Sequence, residues 1–130
     1  MNYKGIIIEE SLQDNTILDE VRILEIKVEP ITPAHKTPWL RQWTLHTVEI
    51  PEDKSDSIAD KMSRSFDPEH PHWYADYKND AFHFIIYAGK VFKVDRANPV
   101  LYKEAKAYGI SIGIPEYQVD FAPDDTVWER

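Results

Sequence analysis

Residues 81–87 read Ala-Phe-His-Phe-Ile-Ile-Tyr, and this run constrains the fold more than any other feature of the chain. Side chains alternate across a strand. A strand here sends Phe82, Phe84 and Ile86 to one face and His83, Ile85 and Tyr87 to the other. Both sets are largely apolar, and strands apolar on both sides are covered on both sides. Residues 41–50 repeat the problem, with Trp43 and Leu45 opposing Val48 and Ile50. The chain must supply two layers of cover or borrow one from another subunit.

Around these strands, residues 41–121 give the order strand, helix, strand, strand, helix, strand. Pro51 ends the strand 41–50. Ile58, Ala59, Met62 and Phe66 share one face of a helix over 53–66, which Asp53 or Ser55 can cap. Asp67-Pro68-Glu69-His70-Pro71 breaks it. Residues 72–78 and 81–87 form strands around an Asn79-Asp80 turn, and residues 90–94 return after Ala88-Gly89. Asn98 and Pro99 start a helix over 98–108 with Leu101, Ala105 and Tyr108 on one face, closed by Gly109. Tyr117, Val119 and Phe121 alternate with Gln118 and Asp120 in a last strand.

Ahead of this core, residues 5–10 and 22–28 read as strands, the second placing Leu24, Ile26 and Val28 opposite Glu25 and Lys27. They are expected to pair as an N-terminal hairpin. Residues 30–38, with Pro30, Pro33 and Pro38, form an extended connector that could fold over a site as a lid.

The predicted fold is α+β: a ferredoxin-like β-α-β-β-α-β antiparallel sheet over 41–121, with the hairpin and connector of residues 1–40 added and a tail over 122–130. Both helices are expected on the same face. The second cover then comes from the hairpin or from a homodimer that buries the aromatic sheet surface.

At 130 residues the chain is expected to be a single domain. The absence of cysteine excludes disulfides, thiol catalysis and cysteine-ligated metals. The first apolar run, Ile6-Ile7-Ile8, is too short for a signal peptide or a membrane span, and a cytoplasmic location is expected. A net charge of −8 argues against nucleic acid. With only four glycines, a glycine-rich phosphate cradle is excluded. No nucleotide, zinc-protease, calcium-loop or nucleophile-elbow motif is present, so no cofactor is expected.

Four groups of residues could carry chemistry. His46 and His83 lie mid-strand, and the ferredoxin-like order makes their strands neighbours. They could form an acid–base pair oriented by Asp76 or Asp120, or be satisfied sheet residues. Asp67, Glu69, His70 and His72 are compatible with a divalent metal or with a solvated loop, and the loop is the favoured reading. Trp39, Trp43, Trp73, Tyr74 and Tyr77, with Asp76, could line a ligand pocket or fill a core. Lys90, Lys93 and Arg96 could hold a small anion or protect an edge strand.

Lys36-Thr37-Pro38-Trp39, residues 43–51, Trp73-Tyr74-Ala75-Asp76-Tyr77-Lys78, residues 90–94 and residues 113–121 together resemble a family of short prokaryotic proteins with no assigned activity. The resemblance implies a complete protein and carries over no catalytic residues. The expected function is a non-catalytic domain that binds a small ligand or a protein. Trp43, His46, Trp73, Tyr74, Asp76 and His83 are its candidate site. The alternative is a small enzyme using His46 or His83 with Asp76 or Asp120.

Overall fold

The computed structural model describes residues 1–32, 40–70, 72–98, 100–114 and 116–119. Its strands are β1 (Tyr3–Ile8), β2 (Arg22–Pro30), β3 (Gln42–Ile50), β4 (Tyr74–Lys78), β5 (Phe82–Tyr87) and β6 (Lys90–Asp95). Its helices are α1 (Ser55–Ser63), between β3 and β4, and α2 (Val100–Ser111), after β6. The fold is α+β, as the sequence predicts. All strands join one six-stranded antiparallel sheet in the order β2-β3-β1-β4-β5-β6.

This order is not the ferredoxin-like one. β3 and β5, expected as neighbours, are separated by β1 and β4. The expected N-terminal hairpin is also absent, because β3 lies between β1 and β2. The connection between those two strands is the reason. It holds Ile17 and Leu18, which are buried in the core beside α1. Burying them takes the chain away from the edge of β1, and β3 fills that edge instead. Gly5 fits β1 to its other neighbour: a Cβ there would stand 2.0 Å from the Asp76 carbonyl oxygen of β4. The expected last strand is replaced in part by a 3-10 turn at Glu116–Gln118, while Asp120 and Phe121 lie outside the described residues.

The two helices cover opposite faces of the sheet, not the same one. Tyr3, Ile7, Val48, Ile50, Tyr77, Phe84 and Ile86 pack with Ile58, Ala59 and Met62 of α1. Ile85, Tyr87 and Val94 pack with Tyr102 and Ala105 of α2, backed by Ile114 and Val119. The two-sided run in β5 thus receives both layers of cover from its own chain. Its residues Phe84 to Tyr87 are fully buried without a second subunit. That removes the ground for a dimer through the aromatic sheet surface. Each large apolar side chain buried this way contributes about 1.5–3 kcal/mol before entropy is subtracted.

The helix ends also differ from expectation. α1 is led in by a 3-10 turn, Glu52–Lys54, and makes no side-chain cap from Asp53 or Ser55; the Ser55 hydroxyl instead donates to the Glu52 carbonyl at 2.8 Å. α2 runs through Gly109, whose missing Cβ leaves room for the Tyr87 hydroxyl and Val119. Gly113, at φ +97°, takes the left-handed position instead. The buried stripe of α2 is Tyr102, Ala105 and Gly109, while Leu101 is exposed. Among the described residues, no helix is long and apolar enough to cross a membrane.

Candidate functional site

α2 follows the edge strand β6 and packs back over β5 and β6. Among the described residues, the same face of the sheet is left open over β3, β1 and β4. A groove of about 600 Å³ lies there, lined by Lys4 and Ile6 of β1, Thr47 and Glu49 of β3, and Asp76 and Lys78 of β4. Asn79, Asp80 and Arg96 also line it, as do Met1 and Asn2.

Strand register explains the floor. Lys4 stands opposite Glu49 on one side and Lys78 on the other. Two residues on, Ile6 stands opposite Thr47 and Asp76. The floor is therefore one charged row, a carboxylate beside two adjacent lysines, and one row of mixed polarity. Arg96 anchors one end by donating to the Asn79 carbonyl, and its own amide donates to the Ala81 carbonyl at 3.0 Å.

Asp76 is the chemically distinctive residue of the groove. It is 3 % exposed, and its Oδ2 lies 2.7 Å from Nε2 of His83, which is 0 % exposed. The other ring nitrogen, Nδ1, lies 2.9 Å from the Tyr102 hydroxyl on α2. A neutral imidazole with its proton on Nε2 satisfies both contacts, donating to Asp76 and accepting from Tyr102. A polar chain, Tyr102–His83–Asp76, thus runs through the protein from helix to groove. Its carboxylate belongs to a residue that lines the open space.

The candidate residues named from sequence fall in separate places. Asp76 and His83 come together. His46 does not join them: it stands opposite Ile7 and points to the α1 face, whereas His83 points to the α2 face. The pairing of the two histidines fails because their strands are not neighbours and the side chains have opposite parity. His46 is 5 % exposed, neither ring nitrogen makes a hydrogen bond, and the Glu9 carboxylate lies 3.6 Å from Nε2. Trp43 packs against Trp73 with ring centroids 5.4 Å apart, and the pair joins the larger core cluster. Tyr74 donates to the Gln118 carbonyl at 2.6 Å, and Tyr77 is buried, donating to the Ser55 carbonyl. These aromatics do not form one pocket wall. Trp39, Asp120 and most of the connector over 30–38 lie outside the described residues.

In the loop after α1, His70 Nδ1 meets Asp67 Oδ2 at 2.9 Å, and His72 sits edge-on to His70. The His70 hydrogen bond, helped by the Glu69 amide, holds the Asp67 carboxyl below the usual range. Burial, and then the His70 charge, pushes the His72 imidazole down. No group of three or more His, Asp or Glu among the described residues could hold a metal ion. The basic run of β6 also divides: Lys93 lies over the Phe82 ring and 3.5 Å from Asp56, Lys90 lies over Phe92, and Arg96 turns into the groove.

Sequence reasoning missed Lys4, Glu49, Lys78 and Tyr102. A lysine inside the otherwise apolar run of β1 was the available signal, since one charge on such a strand marks an open face. Tyr102 was hidden because a turn of helix can be rotated by one residue and still look amphipathic. Comparison of the chain with protein-family models, with curated proteins and with solved structures finds no match.

Proposed function

We propose that this protein is a non-catalytic binding domain that holds a small polar molecule in the groove over β3, β1 and β4. The observation that supports this reading is Asp76, a buried carboxylate fixed by His83 and Tyr102 and lining an open space. Fixed polar groups at the floor of a concavity orient a ligand at low entropic cost. Asp76 and Glu49 suit an amine or other donor, while Lys4 and Lys78 suit an acid group. The fitting ligand class is a small zwitterion carrying both.

The test is a titration of isotope-labelled protein with amino acids, short amines and short carboxylates, read by amide chemical shifts. Zwitterions should shift the amides of Lys4, Ile6, Thr47 and Lys78. Asp76→Asn and Lys4→Ala should each weaken that binding. Binding that survives both substitutions, or shifts confined to the Trp43–Trp73 side, overturns the reading.

The same polar chain supports a second reading, a small acid–base enzyme. Asp76 would then be the group that meets substrate. His83, enclosed and engaged at both nitrogens, would be a positioning residue. Conversion of a bound ligand by the wild type, lost in Asp76→Asn with binding retained, separates this reading from the first.

A further inference from the structure

The two edges of the sheet are built differently. β6 has Val94 buried and Lys93 folded over Phe82, and α2 packs beside it. β2 is nine residues long, and among the described residues no strand pairs with its outer edge. Its apolar side chains face outward on the α1 side beyond the helix, with Ile26 57 % and Val28 54 % exposed. Ile23 and Leu24, at a bulge between Ile23 and Glu25, are exposed as well. An exposed apolar edge strand of this length is a template for another strand.

We propose that β2 pairs with β2 of a second copy of this chain, antiparallel about a two-fold axis through Ile26. The strand's own pattern selects this occupant. Residues opposite each other across such an axis have numbers summing to twice that of the central residue. Glu25 therefore meets Lys27 of the second copy, and Lys27 meets its Glu25. Both point to the groove face, as their register with Thr47 and Leu45 shows. On the other face Ile26 meets Ile26, and Val28 meets the bulged Ile23-Leu24 pair. At the three central positions, 25 to 27, charge meets opposite charge and apolar meets apolar, which is the condition for an isologous contact. An arbitrary strand would carry no such self-complementarity. The bulge and Pro30 limit the pairing to the segment between them. The two sheets then become one, with the groove of each copy on the same side as its charged pairs. The contact is short, so its affinity belongs with weak, concentration-dependent dimers.

A charge-swap series, measured by sedimentation equilibrium on the full chain, tests the proposal. Wild type should dimerise at tens to hundreds of micromolar, on the order of weak interfaces. Glu25→Lys and Lys27→Glu each place like charges opposite each other twice across the axis. Each should weaken self-association by about tenfold. An equimolar mixture of the two variants restores opposite charges and should form a one-to-one heterodimer. The double variant Glu25→Lys/Lys27→Glu should dimerise like wild type. All four side chains are on the surface, and circular dichroism of each variant checks the fold. A wild type that stays monomeric throughout this range overturns the proposal. So do single variants that associate as wild type does, or a mixture that fails to pair.

Discussion

The two faces of the sheet solve the same covering problem in different ways. On the α1 face the core is continuous from β3 to β5, and its largest members are rings. Tyr3 meets Tyr77 and Phe84 at centroid distances of 5.6 and 5.2 Å. On the α2 face the helix covers only β5 and β6, and its cluster ends in the polar chain Tyr102–His83–Asp76. The apolar face carries stability, and the half-covered face carries the candidate site. A face packed across its whole width has no room for a ligand, and a groove needs part of the sheet to remain bare.

Truncation on the α1 face should produce the largest effect. Phe84→Ala removes a ring in contact with Tyr3 and Tyr77, and is expected to cost about 3–5 kcal/mol in urea denaturation. A loss below that of a surface substitution would break the assignment of stability to this face.

On the α2 face, His83→Leu leaves the Asp76 carboxylate and the Tyr102 hydroxyl without their shared partner. The expected cost is roughly 3 kcal/mol, at the low end for a broken buried pair because Asp76 borders the groove. A double-mutant cycle with Asp76→Asn should show strong coupling. Additive effects would mean that the polar chain is not a unit.

Tyr77 and Tyr87 compare the faces directly, since one belongs to each. Burial pushes both phenols above the ordinary tyrosine range. Unfolded tyrosines ionise near about 10. Below that pH the contribution is intact. Above it the unfolded state gains by losing protons while the folded state cannot, so stability falls. Tyrosinate absorbance should therefore rise in two stages, exposed residues first and the buried pair only as the protein unfolds. Tyr77→Phe and Tyr87→Phe should each cost about 1 kcal/mol at neutral pH, from the lost hydrogen bonds to Ser55 and Ala105.

The acid side should show a smaller effect. Asp67 and His72 are both held below their ordinary values, the first by the His70 hydrogen bond and the second by burial. For groups lowered in the folded state, the contribution is present above the unfolded value and is lost as pH falls. The window opens below about 6.5 for His72 and below about 4 for Asp67. Thermal melts of wild type and Asp67→Asn should converge at low pH and differ modestly above it.

The smallest effect on stability belongs to the groove. Lys4→Ala is expected within about 0.5 kcal/mol of wild type in the same denaturation measurement. If it alters ligand binding without altering stability, the division between the two faces is sharpened. A large stability loss would show that the groove floor is structural.

Much of the molecule was legible in the chain. Period-two alternation located β2, β-branched and aromatic content located β3, the apolar run and its flanking turns located β5 and β6, and the apolar stripe of residues 58, 59, 62 and 66 located α1. The two-sided run at 82–87 demanded two layers, and two layers are present. Asp76 and His83 could be named as candidates because a carboxylate and an imidazole inside apolar strands must find partners. What alternation does not encode is which strands are neighbours. Parity places His46 and His83 on the faces of their own strands, but only the sheet order relates one strand's faces to another's. That order depends on long-range choices: the burial of Ile17 and Leu18, the fit of Gly5 against the Asp76 carbonyl, and the return of α2 over β5. Each is a contact between residues far apart in sequence, whose free energy exists only once the chain has closed. Local pattern therefore determined the elements and their two-sided demand for cover. Tertiary packing alone decided which face each helix took, and so where the groove was left open.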